Sequence, residues 1–363
     1  MKIALVHDWL TVYSGAERVL LALSEIYPEA EIYTSVYDPV KVTAFRDKKV
    51  HTSFLQKIPL MKKKRELLIP LTPFAFEQFD FSKYDIVISS TTFPAKGIIT
   101  KPDTLHVSYC HTPTRYIWEP HLDPRAAKGK FKGLRDRVMH QLRIWDFLAA
   151  DRVDYFLANS KYVANRIQKY YRRDSDVIYP PVDVDNFTPA PKEEIGDYFL
   201  FVSRLVDYKR CDVAIRAFNE LGLPLKIVGY GPDEAKLKAI AKSNIEFAGG
   251  KFGKELQDIF ARARAFVFMA EEDFGIVPVE AMACGRPVIC YSKGGQAESA
   301  IPGTTGILFD EQTPESLIEA VKSFKVEDYD PIKIRRQAEN FSKDRFKREI
   351  EEKVEELMKE YKK

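Results

Sequence analysis

The sequence predicts an α/β protein of two doubly wound, Rossmann-like domains in series, each built on a parallel sheet, and three observations support this. Short apolar runs alternate with amphipathic helical runs along most of the chain, the rhythm of βα units. The rhythm breaks once, over residues 176–197 (DVIYPPVDVDNFTPAPKEEIGD), where prolines cluster and few apolar residues are consecutive, as in an interdomain linker. The length, 363 residues, exceeds what one core ordinarily holds.

In chain order, the first half offers strands at KIALVHD (2–8), YDIVISS (84–90), LHVSYC (105–110) and VDYFLANS (153–160), with helices at SGAERVLLALSEIYP (14–28) and KYVANRIQKYY (161–171). After the break the strands are YFLFVSR (198–204), LKIVGYG (225–231), IEFAGG (245–250), RAFVFMA (264–270), PVICYS (287–292) and GILF (306–309). The helices between them are KRCDVAIRAFNEL (209–221), a lysine-rich run, KELQDIFARA (254–263) and GIVPVEAMACG (275–285). The last twenty residues, DRFKREIEEKVEELMKEYKK, read as one polar-faced helix. The expected division is an N-terminal domain over 1–185, a C-terminal domain over 186–344, and a terminal helix over 345–363 crossing back to the first.

Composition narrows the class. With 45% hydrophobic and 30% charged residues both domains should be globular. The net charge of +3 does not favour nucleic acid as a partner. Cys110, Cys211, Cys284 and Cys290 are scattered without CxxC spacing, and the chain opens directly into a strand, so a reducing cytoplasm is the expected home. No apolar run reaches the roughly 18 residues that span a bilayer, so any membrane role is expected to be peripheral.

The chemistry-bearing stretch is EEDFGIVPVE, residues 271–280. Gly275 with Pro278 fits a helix starting between Glu272 and Glu280, since proline is tolerated in a first turn. Helix-start N–H groups near Phe274, Gly275 and Ile276 then suit a phosphate. An ionised carboxylate only accepts hydrogen bonds, and a vicinal diol offers two donors. One acid on each side of a phosphate cradle therefore suits two polyols joined by a diphosphate, a nucleotide sugar; the spacing also fits a solvated acidic face.

Arg204 and Lys209, just past a strand, sharpen the first reading. Two cations there suit a diphosphate leaving group, whose developing charge they stabilise as a metal would, although each alone fits a surface charge. Gly229 and Gly231 in IVGYGPDE, and the loop SKGGQAE (292–298), let backbone approach a ligand closely, or simply make turns. Gly15 opens a helix in the first domain and offers N–H groups to the same diphosphate.

Together SRLVDYK (203–209), IVGYGP, EDFGIVPVE, AMACGRPVI (281–289) and SGAERV (14–19) resemble the retaining glycosyltransferases of family 4, and the likeness runs from the first strand to the end of the second domain. The resemblance implies a GT-B fold, two Rossmann-like domains facing a central cleft. It implies that Arg204 and Lys209 bind the donor diphosphate, and that Glu272 with the backbone of Phe274, Gly275, Ile276 and Val277 holds the donor sugar. Glu280 would take the ribose hydroxyls, and Lys251 and Phe252, in AGGKFG, would contact the base. His111, in YCHTPTRY, matches the active-site histidine; by itself it also fits a structural hydrogen-bonder. Ser14 stands where many relatives have glycine. Front-face attack and a covalent intermediate on Glu272 both remain open.

His7 and Asp8 end the first strand, where a doubly wound sheet places ligands, and with Trp9, Arg115 and Tyr116 they are the expected acceptor side. They equally fit loop caps. If Pro59 starts a helix, Lys62, Lys63, Lys64 and Arg65 spread over the side opposite Leu60, Met61, Leu67 and Leu68, a pattern that suits an anionic membrane surface as well as a solvated face. Asp183 and Asp185 form an acidic pair of the kind that bridges a metal, but they lie in the linker. With Arg204 and Lys209 present, no metal and no cofactor beyond the nucleotide sugar as co-substrate is expected.

The expectation is thus a cytoplasmic, peripherally membrane-associated, metal-independent retaining hexosyltransferase acting on a lipid-linked or surface-glycan acceptor. The segments HTPTRY and YPPVD resemble those of enzymes transferring mannose from GDP-mannose in O-antigen or exopolysaccharide assembly. The alternatives are a UDP-sugar donor, a nucleotide-sugar epimerase of the same fold, and a non-catalytic nucleotide-sugar-binding subunit. A dehydrogenase is disfavoured because no GxGxxG follows the first strand.

Overall fold

Seven strands build the first sheet: β1 (Ile3–His7), β2 (Glu31–Thr34), β3 (Val50–Thr52), β4 (Ile86–Thr91), β5 (Leu105–Cys110), β6 (Tyr155–Ala158) and β7 (Ser175–Val177). They lie parallel in the order β3-β2-β1-β4-β5-β6-β7. Six more form a second parallel sheet: β8 (Phe199–Val202), β9 (Leu225–Val228), β10 (Ile245–Gly249), β11 (Ala265–Phe268), β12 (Val288–Tyr291) and β13 (Gly306–Phe309), in the order β10-β9-β8-β11-β12-β13. This structure, a computed structural model, describes residues 1–58, 69–119 and 132–362. The Lys62–Arg65 patch lies outside the described residues.

The chain divides into one unit of Met1–Pro181 with Phe346–Lys363 and another of Val182–Arg345. In both sheets the strand order reverses beside the first strand, between β1 and β4 and between β8 and β11. At such a reversal the loops leave the carboxyl ends of neighbouring strands in opposite directions, opening a crevice for ligands. Strands β4, β5, β11 and β12 are buried along their whole length, which is why, His106 in β5 apart, their sequences are runs of apolar or small residues.

Three strands escape the sequence pattern. EIYT, VHT and SDV are three or four residues long and mix polar with apolar side chains, so no run stands out. The last corrects the linker assignment: Ser175–Val177 pairs with β6 as the edge strand of the first sheet. The proline-rich linker is therefore shorter than expected, and the unit boundary falls after Pro181.

The terminal helix, Lys343–Tyr361, belongs to the first unit from Phe346 onward. Phe346, Ile350, Val354 and Leu357 form one stripe buried with Leu20, Leu23 and Tyr109. Each such buried side chain contributes about 1.5–3 kcal/mol. Lys347 pairs with Glu25 at 2.6 Å, and the Tyr361 hydroxyl donates to Pro102 O at 2.7 Å.

Candidate functional site

In the second unit, the loops leaving β8 and β11 flank the reversal and carry the predicted charges. Lys209 closes a 3-10 turn, Asp207–Lys209, and Arg210 follows in the left-handed conformation (φ 54°, ψ 35°) before the helix Cys211–Leu221. That conformation costs a non-glycine residue about 1–2 kcal/mol. The Lys209 amine donates to the Glu272 carboxylate, with the two side chains only 17% and 23% exposed. Burial pulls the Lys209 pKa down, but the Glu272 charge and hydrogen bond together with Tyr208 more than offset it, leaving the pKa raised although Arg204 opposes with its own charge. Lys209 is thus held cationic within electrostatic reach of Arg204. Arg204 itself is exposed.

Glycines let the surrounding loops pack backbone on backbone. A Cβ at Gly229 (φ +141°) would lie 1.8 Å from Ser203 O, and one at Gly231 2.2 Å from Leu205 O. Their close approach is therefore to the loop that carries Arg204. Leu205 N–H donates to Tyr230 O at 3.0 Å across the same seam. Gly275 (φ +83°) starts the helix Ile276–Ala283, where first-turn N–H groups lack intrahelical acceptors. A Cβ at Gly295 would stand 2.1 Å from Asp273 O.

Gln296, which the sequence reading passed over inside SKGGQAE, locks this loop in place. It is fully buried. Its Oε1 accepts from Glu272 N–H at 3.0 Å while its Nε2 donates to Tyr291 O at 3.0 Å. Its only sequence signal is its place after the double glycine. Ile276 and Val277 are half-buried, Phe274 is buried with its ring 5.5 Å from Phe341, and Glu280 is buried on the same helix.

The rings of Tyr230 and Phe252 flank Gly250, where a Cβ would stand 2.8 Å and 3.6 Å from them, and both side chains are largely exposed. They form an aromatic pair at the ends of β9 and β10, of which the sequence reading named only Phe252. Lys251 is ion-paired with Glu255 on the helix Gly253–Ala261. In the 182–197 stretch, Asp183 precedes the 3-10 turn Val184–Asn186 and accepts from the Asn186 side chain, and Asp185 lies in that turn.

In the first unit His7 and Asp8 sit at the reversal, as expected, but both are buried, which corrects their assignment as direct acceptor contacts. Asp8 caps the turn after β4. Its oxygens accept from Thr91 Oγ1 (2.7 Å), Thr92 N (2.7 Å), Thr92 Oγ1 (2.8 Å), Phe93 N (3.4 Å) and Ala95 N (3.0 Å). A carboxylate so surrounded has little acceptor capacity left. His7 faces Ser90 and Glu17.

Tyr116 is half-buried. Its ring packs edge-on against Phe93, 6.1 Å between centroids, and its buried hydroxyl has no hydrogen-bond partner among the described residues. Burial, with Asp146 and Asp8, pushes its pKa well above 10. Trp9 and Arg115 are half-buried. Ser14 precedes the helix Gly15–Ile26 and donates to Glu17 from its amide (2.8 Å) and hydroxyl (2.6 Å). The serine that replaces glycine thus ties this loop down. His111 follows β5, with Nε2 2.8 Å from Ser90 Oγ.

The sequence matches the family described as Glycosyltransferase Family 4 over residues 13–186 and that described as Glycosyl transferases group 1 over residues 185–345. An uncharacterized glycosyltransferase of Methanocaldococcus jannaschii is 30% identical over a stretch covering 48% of this chain and 50% of that protein. A GDP-mannose-dependent alpha-mannosyltransferase of Mycobacterium tuberculosis is 32% identical over 39% of this chain and 41% of that protein. The chain thus spans half or less of the length of these curated relatives. Among solved structures, Anabaena HepE in complex with UDP and glucose superposes with a TM-score of 0.72 at 19% identity, covering 98% of this chain and 99% of that one, a likeness that establishes the fold. With two matches that together run from residue 13 to 345, over two parallel Rossmann-like sheets, the chain belongs to the group 1, family 4 glycosyltransferases of GT-B fold.

Proposed function

We propose that this protein is a retaining, metal-independent hexosyltransferase that takes its sugar from a nucleotide diphosphate sugar and delivers it to a lipid-linked or surface-glycan acceptor. The observation that carries the reading is Lys209 paired with Glu272 beside Arg204 at the strand-order reversal. Two cations suit the diphosphate, and the carboxylate suits sugar hydroxyls. Glu280 serves the ribose, Tyr230 and Phe252 the base, and His111 is the active-site histidine. GDP-mannose is the favoured donor, supported by the HTPTRY and YPPVD segments and by the name of the mycobacterial relative.

A UDP-sugar is the second reading, because structural neighbours were solved with UDP and UDP-glucose. Calorimetric titration of EDTA-treated protein with GDP and with UDP separates the two. Binding of one without metal supports the diphosphate site; binding of neither overturns it, and a free sugar epimer as product would reassign the chemistry. Among the described residues no helix is long and apolar enough to cross a membrane. Peripheral attachment through Lys62, Lys63, Lys64 and Arg65 is part of the proposal on the sequence pattern. Sedimentation with anionic liposomes should fall when the three lysines are replaced, and unchanged sedimentation overturns that part.

A further inference from the structure

Beside His111 lies a string of polar side chains that the chemistry above leaves unused. The β1/β4 register sets His7 beside Ser90, and the β4/β5 register sets Ser90 beside Tyr109, two residues before His111. Side chains two apart on a strand share a face, as do aligned neighbours on parallel strands. Ser90 Oγ accordingly lies 2.8 Å from His111 Nε2 and 3.3 Å from His7 Nδ1. His7 Nε2 stands 3.5 Å from Glu17 Oε1, whose other oxygen takes both Ser14 donors. His7, Glu17 and Ser90 are 2%, 4% and 0% exposed, so bulk water does not compete for these contacts.

We propose that Glu17, His7 and Ser90 are positioning residues, a buried relay in which the charge state of His7 decides whether His111 Nε2 accepts or donates a hydrogen bond. A hydroxyl has one proton and donates to one partner at a time. When His7 is doubly protonated, Nε2–H faces Glu17 and Nδ1–H donates to Ser90 Oγ. The Ser90 proton then points at His111 Nε2, which is the bare, basic nitrogen. When His7 is neutral, Glu17 keeps the remaining proton on Nε2, Nδ1 accepts from Ser90, and Ser90 Oγ accepts from His111 Nε2–H. One proton on a residue remote from the reacting atoms thus sets which nitrogen of His111 is basic.

The surroundings favour the charged state near neutrality. Burial lowers the His7 pKa, but Glu17, Asp8 and Ser90 together raise it above 6.5. Burial likewise opposes the Glu17 charge, yet His7 and Ser14 bring its pKa below 4.5. The groups facing His7 are Glu17 from the helix Gly15–Ile26, Asp8 on its own strand, Ser90 on β4 and, 6.4 Å between ring centroids, His111 after β5.

The consequence for catalysis rests on the proposed transferase reading; the linkage itself does not, and nitrogen NMR of the donor-free full chain reads it directly. Protein labelled with nitrogen-15 histidine is titrated from about pH 5 to about 9, the span in which histidine changes charge, with His7→Gln and His111→Gln assigning the signals. His111 Nε2 should change from bare to protonated at the midpoint where His7 loses its proton. Glu17→Gln should move both midpoints down together by about one pH unit. Ser90→Ala should leave His7 titrating while His111 no longer follows, and Ser90→Thr should restore the link. A His111 tautomer that ignores His7, or is unchanged in folded Ser90→Ala, overturns the relay; if Ser90→Ala does not fold, Glu17→Gln decides. Where transfer is detected, the kcat–pH profile of Glu17→Gln should shift by the same unit, about tenfold on the affected limb, with donor KM unchanged; a profile that stays in place also overturns it.

Discussion

Replacing Glu272 by alanine removes the anion that faces Lys209. The two side chains are 17% and 23% exposed, so the pair is more shielded than a surface salt bridge. Leaving a partly desolvated ammonium without its partner costs about 1–3 kcal/mol. A diphosphate supplies the missing negative charge, so the free protein is destabilised more than the nucleotide complex. Since about 1.4 kcal/mol is tenfold in affinity, GDP or UDP should bind Glu272→Ala at least as tightly as the wild type, and up to about a hundredfold tighter. Transfer should fall at least about a hundredfold, because the carboxylate assigned to the sugar hydroxyls is gone. Glu272→Gln, which keeps a hydrogen-bond acceptor without the charge, should lie between. Calorimetry on the two variants, with Lys209→Ala and Arg204→Ala as diphosphate controls, reads the first effect, and initial rates the second. A more than tenfold loss of nucleotide affinity in folded Glu272→Ala would refute the division of labour between carboxylate and cations.

Other outcomes follow from the packing. In the first unit Lys96 and Asp146 form an ion pair only 1% and 0% exposed, and Asp146 also accepts from Trp118 and Tyr171. Asp146→Ala should destabilise that unit by about 3–5 kcal/mol, with the double replacement Lys96→Met and Asp146→Leu recovering part of it. Tryptophan fluorescence in urea suits the measurement because Trp9, Trp118 and Trp145 all belong to the first unit, and a loss below about 1 kcal/mol contradicts the argument. Gly229→Ala places a Cβ against Ser203 O, so it should displace the Arg204 loop and weaken nucleotide binding more than about tenfold by calorimetry. Burial lowers the His106 pKa to about 4 from 6.5. The unfolded chain then binds the extra proton first, so stability should drop by up to about 3 kcal/mol between these values. His106→Gln should flatten that acid limb. His7 has the opposite sign: its contribution is complete below 6.5 and is lost as pH rises through its raised folded value.

The six strands of the second unit were legible because each is a short, mostly apolar run between turn residues. So was the nearness of Arg204, Lys209 and Glu272, since charged residues placed just after the strands beside an order reversal fall at one end of the sheet. The strands Glu31–Thr34, Val50–Thr52 and Ser175–Val177 were not, because they are short and owe their state to the strands beside them. Asp8 misled: a polar side chain at a strand end reads as ligand-facing until its surroundings are known. Asp8 proved to be consumed by the turn 91–95.

By itself the sequence determined the chemistry available to each loop and the parallel α/β class, because periodicity and residue type are local properties of the chain. Only the tertiary structure decided which of those groups meet. Gln296 fastening Glu272, the glycines seating the Arg204 loop, and His7 reaching Ser90 from 83 residues away all depend on strand order and register. Register is a cooperative outcome of packing two sheets' worth of side chains at once, and no short window of sequence contains it.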